Sequence, residues 1–132
     1  MRNTFVAVSI MSFVASAFAL DVAPARFKAA EAKSHVGEVA TVCGKVVDTK
    51  VAKYGLVGHG KPVTFDLDQS EPNPVFYFIT FGTQDGGPQE ALAAYEGKQV
   101  CVTGKIDLVP NGATPFIMAG DRSKITVQTG TK

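Results

Sequence analysis

Cys43 and Cys101 are the chain's only two cysteines. They sit in two near-copies of one phrase, Val42-Cys43-Gly44-Lys45-Val46 and Cys101-Val102-Thr103-Gly104-Lys105-Ile106. Two thiols can hold a metal, act as nucleophiles or bond to each other. A metal site would need partner ligands at a recognisable spacing, and the only histidines, His35 and His59, supply none. Counted back from the glycine of each phrase, the two cysteines have the same parity. On strands they would face the same way, within bonding reach if the strands pair. A disulfide is the reading this supports, with about 4 kcal/mol of stabilisation from closing a long loop.

Two other clusters carry possible chemistry. Asp66, Asp68 and Glu71 place carboxylates at near-alternate positions, as a hard cation would require, but they lack the glycine turn and closing bidentate acid of a dedicated loop. No metal and no cofactor is expected. The second cluster is a basic stretch with Lys50, Lys53, Tyr54, His59 and Lys61, and no acidic residue from Thr49 to Phe65. Catalysis has little to work with. A nuclease would need acids for a metal and paired arginines for a phosphate, yet beyond Arg2 the arginines are only Arg26 and Arg122, at opposite ends. His59 has no nucleophile at a recognisable spacing. The chain is expected not to be an enzyme, and a metal-dependent nuclease is the remote alternative.

The elements that must position these residues begin after a leader. Residues 1–19 read as a secretory signal peptide: Arg2 gives a positive start, an apolar run follows, and Ala17-Phe18-Ala19 is a small-x-small cleavage site. The run is too short for a bilayer span and has no basic flank after it, so no stable membrane span is expected. Residues 20–132 then form one domain. Arg2 leaves with the signal, so the formal charge of +1 becomes neutral. A neutral chain has no global field to gather polyanions, and any such partner would need a local patch. Export to the periplasm or outside the cell also favours the disulfide.

Pro24 to Ser34 reads as a short amphipathic helix. Val39 to Val47 is a valine- and threonine-rich strand with Gly44 where a bulge would fit. Glycines and Pro62 make Thr49 to Pro62 a long loop or a frayed hairpin. Val63 to Asp68 alternates, with Val63, Phe65 and Leu67 on a buried face and Thr64, Asp66 and Asp68 on a wet one. Val75 to Phe81 is apolar on both faces. Pro88 to Glu96 reads as a helix stopped by Gly97, and Val100 to Val109 as the next strand. Phe116 to Met118 and Ile125 to Val127 together make the last. Three strands, a helix and two strands is the order of a five-stranded Greek-key OB-fold barrel, mainly β, with a short N-terminal helix and a helix between strands three and four. In that topology strand one pairs with strand four, as the cysteines require.

The phrases around Cys43 and Cys101, with Pro72-Asn73-Pro74-Val75-Phe76 and Gly97-Lys98-Gln99-Val100, resemble those of small exported bacterial OB-fold proteins grouped with nucleic-acid-binding OB domains. The resemblance runs from Glu31 to Val127. One departure is Ala119-Gly120-Asp121-Arg122, which interrupts the apolar final strand of such relatives. The resemblance implies a non-catalytic binding module whose ligand is single-stranded nucleic acid or another extended polyanion.

OB domains use the face of strands two and three, framed by the loops after strand one and between strands four and five. That places Lys50, Lys53, Tyr54, His59 and Lys61 beside the face. Strand three adds either Phe76 and Phe78 or Tyr77, Ile79 and Phe81, depending on which side turns outward; Tyr77 and Phe81 are the ligand-binding choice. Asp66 and Asp68 oppose phosphates at the centre of this face. In a competing reading the aromatics are packing and the lysines an ordinary solvated loop. The alternative function is an envelope module that contacts protein or glycan, with no nucleic-acid role.

Overall fold

The alternating segment buries its apolar face as its pattern dictates, and buries Asp66 of the opposite face as well. In the computed structural model, which describes residues 23–55, 60–81 and 88–129, it is strand β3 (Pro62–Leu67), with Val63, Phe65 and Leu67 fully buried. Phe65 faces Phe78 of β4 (Tyr77–Phe81) across the antiparallel ladder, and the two rings stack with centroids 4.8 Å apart. Helix α1 (Pro88–Tyr95) adds Tyr95 edge-on to both rings, at 5.6 Å and 6.0 Å. Edge-to-face pairs contribute about 0.5–1.5 kcal/mol each beyond their area burial, so this aromatic trio anchors the core.

β2 (Val39–Val51) is long enough to serve two partners. Its first half, Val39 to Lys45, pairs antiparallel with β5 (Gln99–Leu108), and its second half, from Val46, pairs with β3. A register irregularity between Val46 and Asp48 follows the change of partner, as a bulge that bends the strand around a barrel corner does. Asp68 holds this corner: its Oδ1 accepts the Lys45 N–H at 2.8 Å, while its own N–H donates to the Lys45 carbonyl at 2.8 Å.

β6 (Pro115–Met118) lies between β4, to which it is parallel, and β5, to which it is antiparallel. The ring β2-β3-β4-β6-β5 closes through the β2–β5 ladder into a five-stranded barrel, which fits an OB-like fold. In that ladder Cys43 lies directly opposite Cys101, Cα to Cα 4.1 Å, and the two form a disulfide. Two positions along, Thr41 and Thr103 pair through their hydroxyls at 2.7 Å.

The ends of the chain differ from the sequence expectation. Pro24 to Ser34 is not one amphipathic helix: Arg26–Lys28 forms a short strand, β1, parallel to β2, and only Ala29–Ser34 is helical, as a 3-10 turn. The cause is a partner distant in sequence: the Thr41 N–H donates to the Ala25 carbonyl and draws the segment onto the β2 edge. Nor do Phe116–Met118 and Ile125–Val127 make one strand. A turn capped by Asp121, whose carboxylate accepts the Ser123 N–H at 2.9 Å, redirects the chain. Ile125–Val127 becomes β7, paired with Val100–Val102 of β5 on the edge away from β2, displaced along the strand from β6. Residues 1–19, read as a signal peptide, lie outside the described residues.

Candidate functional site

Cross-strand register fixes what the outward face of the β3–β4 sheet presents. One row runs Asp48, Asp66, Tyr77, Phe116 across β2, β3, β4 and β6, each residue directly opposite the next. The neighbouring row runs Lys50, Thr64, Ile79, Met118. Because opposed residues share a face, these side chains form one platform, and Phe76 and Phe78, fully buried, point to the core.

A groove of about 410 Å³ lies on this platform, lined by Lys50, Thr64, Asp66, Tyr77 and Ile79, by Glu71 and Pro74 before β4, and by residues 109 and 112–114 of the β5–β6 turn. Its volume falls within the range of small-molecule sites. The turn is held by Asn111 at φ 63° and by the Gly112 N–H donating to the Val109 carbonyl at 2.7 Å. Thr114 tethers it across the groove, donating from Oγ1 to the Pro74 carbonyl at 3.4 Å.

Asp66 lies at the floor of this groove. The residue is 5 % exposed, and its Oδ2 is buried with no hydrogen-bond partner. Burial raises its pKa above the ordinary carboxylate value; Lys50 opposes the shift, and Asp48 and Glu71 reinforce it. Tyr77 is half-buried beside it, its ring stacked on Phe116 at 5.2 Å and nearly parallel. Its hydroxyl pKa is also raised, by burial first and by the Asp66 charge second. Lys50 is held at the rim, its Nζ donating to Glu71 Oε1 at 3.3 Å.

The expected binding residues are only partly brought together. Lys50 and Tyr77 share the groove, with Tyr77 on the outward side together with Ile79 and Phe81. Phe81 is half-buried at the far end of β4, opposite Pro62. Lys53, Tyr54 and Lys61 are exposed on the β2–β3 connection outside the groove lining, and Lys53 Nζ lies 5.8 Å from the Tyr54 ring centroid. Tyr54, at 76 % exposure, is the most accessible of these rings. His59 lies outside the described residues.

Asp66 and Asp68 do not share a wet face. Asp66 is buried at the groove floor, whereas Asp68 has left the strand at φ 63° and turned its carboxylate to the Lys45 amide. Among the described residues no group of three or more His, Cys, Asp or Glu side chains could hold a metal ion. Sequence reading placed Asp66 at the centre of the face but on its wet side and did not anticipate its burial, nor did it anticipate Phe116 as the partner of Tyr77. The signal for the second was present in the Pro110-Asn111-Gly112 turn, which places Phe116 on a strand returning beside β4.

No family model and no curated protein matches the chain. Among solved structures it is similar to a crystal structure from Leishmania major Friedlin that carries the name aspartyl-tRNA synthetase. The match has 12% identity and a TM-score of 0.49, and covers 95% of this chain and 23% of that chain.

Proposed function

We propose that this chain is an exported, non-catalytic binding module with a Greek-key OB barrel, which takes single-stranded nucleic acid or another extended polyanion across the β3–β4 face. The observation that carries the reading is the Tyr77–Phe116 stack, whose Tyr77 lines a groove between the sheet and the β5–β6 turn, with exposed Lys53, Tyr54 and Lys61 on the adjoining connection. Stacked aromatics accept the flat face of any base, and a lysine-bearing loop tracks the backbone. Residues 1–19 are the signal that directs export, and residues 20–132 the single domain. The disulfide is compatible with an oxidising periplasmic or extracellular location. No helix among the described residues is long and apolar enough to cross a membrane.

The test is fluorescence anisotropy of a labelled oligonucleotide over a salt series. Binding at low salt that weakens steeply as salt rises is the expected result. Absence of binding at low salt, or affinity indifferent to salt, removes the polyanion reading. Incubating the protein with DNA and magnesium or calcium tests the nuclease alternative, for which the expected outcome is intact DNA.

One observation favours a second reading. Asp66 and Glu71 outnumber Lys50 in the groove, and Asp48 adds to the field at Asp66. A neutral or cationic ligand meets less opposition there than a phosphate would. An envelope protein segment or a glycan bound through the same face would then replace nucleic acid as partner.

A further inference from the structure

Asp66 is an expensive residue to keep where it is. It lies opposite Asp48 on one side and Tyr77 on the other, with one carboxylate oxygen buried and unpartnered. A buried acceptor without a donor keeps the full penalty of its lost hydration, and like charges set directly opposite on neighbouring strands add to that. The nearest cation in the groove, Lys50, already donates to Glu71. Among the described residues the neighbouring structural roles fall to others: the corner where β2 changes partner is held by Asp68, and the turn that frames the groove is tethered by Thr114.

An ionised carboxylate accepts hydrogen bonds and donates none, so a ligand group that satisfies Asp66 must bring donors. Resting on the single-stranded nucleic-acid reading, we propose that Asp66 selects bases that present an exocyclic amine, with the base seated against the Tyr77–Phe116 stack. Tyr77 is the direct cross-strand neighbour of Asp66, so a base resting on that ring has an edge beside the carboxylate. Cytosine offers its N4 amine at that edge, a donor that acidic side chains accept. Thymine places the O4 carbonyl at the same point, and acceptor against carboxylate is repulsive. The acidic groove thus favours particular base edges, while phosphates lie toward Lys53 and Lys61.

Cytosine and thymine are the informative pair, because both are single-ring pyrimidines on identical backbones and differ mainly in this edge. Oligo-dC and oligo-dT of equal length are titrated against the full chain by fluorescence anisotropy at one fixed low salt concentration. Oligo-dC is expected to bind about tenfold tighter, the discrimination of one good base-edge contact. Asp66→Asn, whose amide both donates and accepts, is expected to lower that ratio to roughly twofold or less, with an unchanged far-ultraviolet circular dichroism spectrum showing that the barrel is intact. Equal binding of dC and dT by the wild-type chain, a measurement that needs no variant, overturns the assignment while leaving the binding module in place. A preference for dC that survives in Asp66→Asn overturns it equally. Failure of both oligonucleotides to bind removes the nucleic-acid reading, and the role of Asp66 falls with it.

Discussion

Asp48 and Asp66 face each other directly across the β2–β3 ladder, with Lys50, among the described residues, the only lysine lining the groove beside them. Relieving that opposition has a predictable effect on stability. The folded Asp66 carboxyl holds its proton to higher pH than its ordinary value of 3.8, chiefly because it is buried. Between the ordinary and the raised value the folded state binds more protons than the unfolded one, so stability falls as pH rises through that window and stays lower above it. Asp66→Asn removes this loss. At neutral pH the variant is expected to be more stable by about 1 kcal/mol, and the gain should vanish as pH drops below the ordinary carboxylate range. Urea midpoints across a pH series measure it, and a variant less stable at neutral pH would contradict the argument.

The Cys43–Cys101 bond joins residues 58 positions apart across the β2–β5 ladder. On chain-entropy grounds a crosslink of that span contributes about 4 kcal/mol, a large share of the 5–15 kcal/mol typical of a whole domain. The double substitution Cys43→Ala with Cys101→Ala, or reduction of the native chain, is expected to lower the unfolding free energy by roughly that amount in guanidinium titration. Intact mass without reductant should be two hydrogens below the dithiol mass, and alkylation of either cysteine under those conditions would count against the bond.

Gly104 of β5 has its own packing consequence. A Cβ built there would lie 2.7 Å from Cγ2 of Ile117, which is fully buried on the adjacent strand β6. Ile117 is β-branched and held at χ1, so the contact cannot be relieved by swinging a flexible side chain away. Gly104→Ala is therefore expected to destabilise the barrel by about 1–3 kcal/mol. Gly44, whose Cβ would meet the Asp68 carboxylate at 3.0 Å, is the milder case because Asp68 is exposed and can shift. Thermal unfolding of the two variants should rank them in that order.

The barrel strands were largely legible in the sequence because their signals are local. Alternation at Val63, Phe65 and Leu67 and the matched parity of Cys43 and Cys101 each follow from a period of two, which any pleated strand imposes. What escaped were features decided by neighbours distant in sequence. Arg26–Lys28 carries a helix-compatible composition, yet becomes a strand because the β2 edge offers it backbone partners. Asp66 reads as a solvent-facing position from alternation alone. Its burial depends on the β5–β6 turn and on the segment from Glu71 to Pro74, which rise on either side of it. The same holds for Lys50, whose charge reads as available in the sequence but is engaged by Glu71 at 3.3 Å.

That ion pair sets the last prediction, on how the lysines divide the electrostatic part of binding. Lys53 and Lys61 are exposed and outside the groove lining, so each is placed to displace a counterion from a phosphate. For a single strand each lost contact should reduce the slope of log affinity against log salt by about 0.7. Lys53→Ala and Lys61→Ala together are therefore expected to flatten the slope by about 1.4. Lys50 is different, because its Nζ is engaged by Glu71. Glu71→Gln releases it and removes one negative charge from the groove, so binding at low salt should tighten, whereas Lys50→Ala leaves Asp48, Asp66 and Glu71 unopposed and should weaken it. The exposed ion pair itself contributes little to folding, and although each variant also changes the field at Asp66, both should remain folded under the titration conditions, so their opposite effects on affinity can be read as electrostatic. Anisotropy titrations at several salt concentrations separate the cases. An unchanged slope after losing Lys53 and Lys61 would clear the β2–β3 connection of any contact with the backbone.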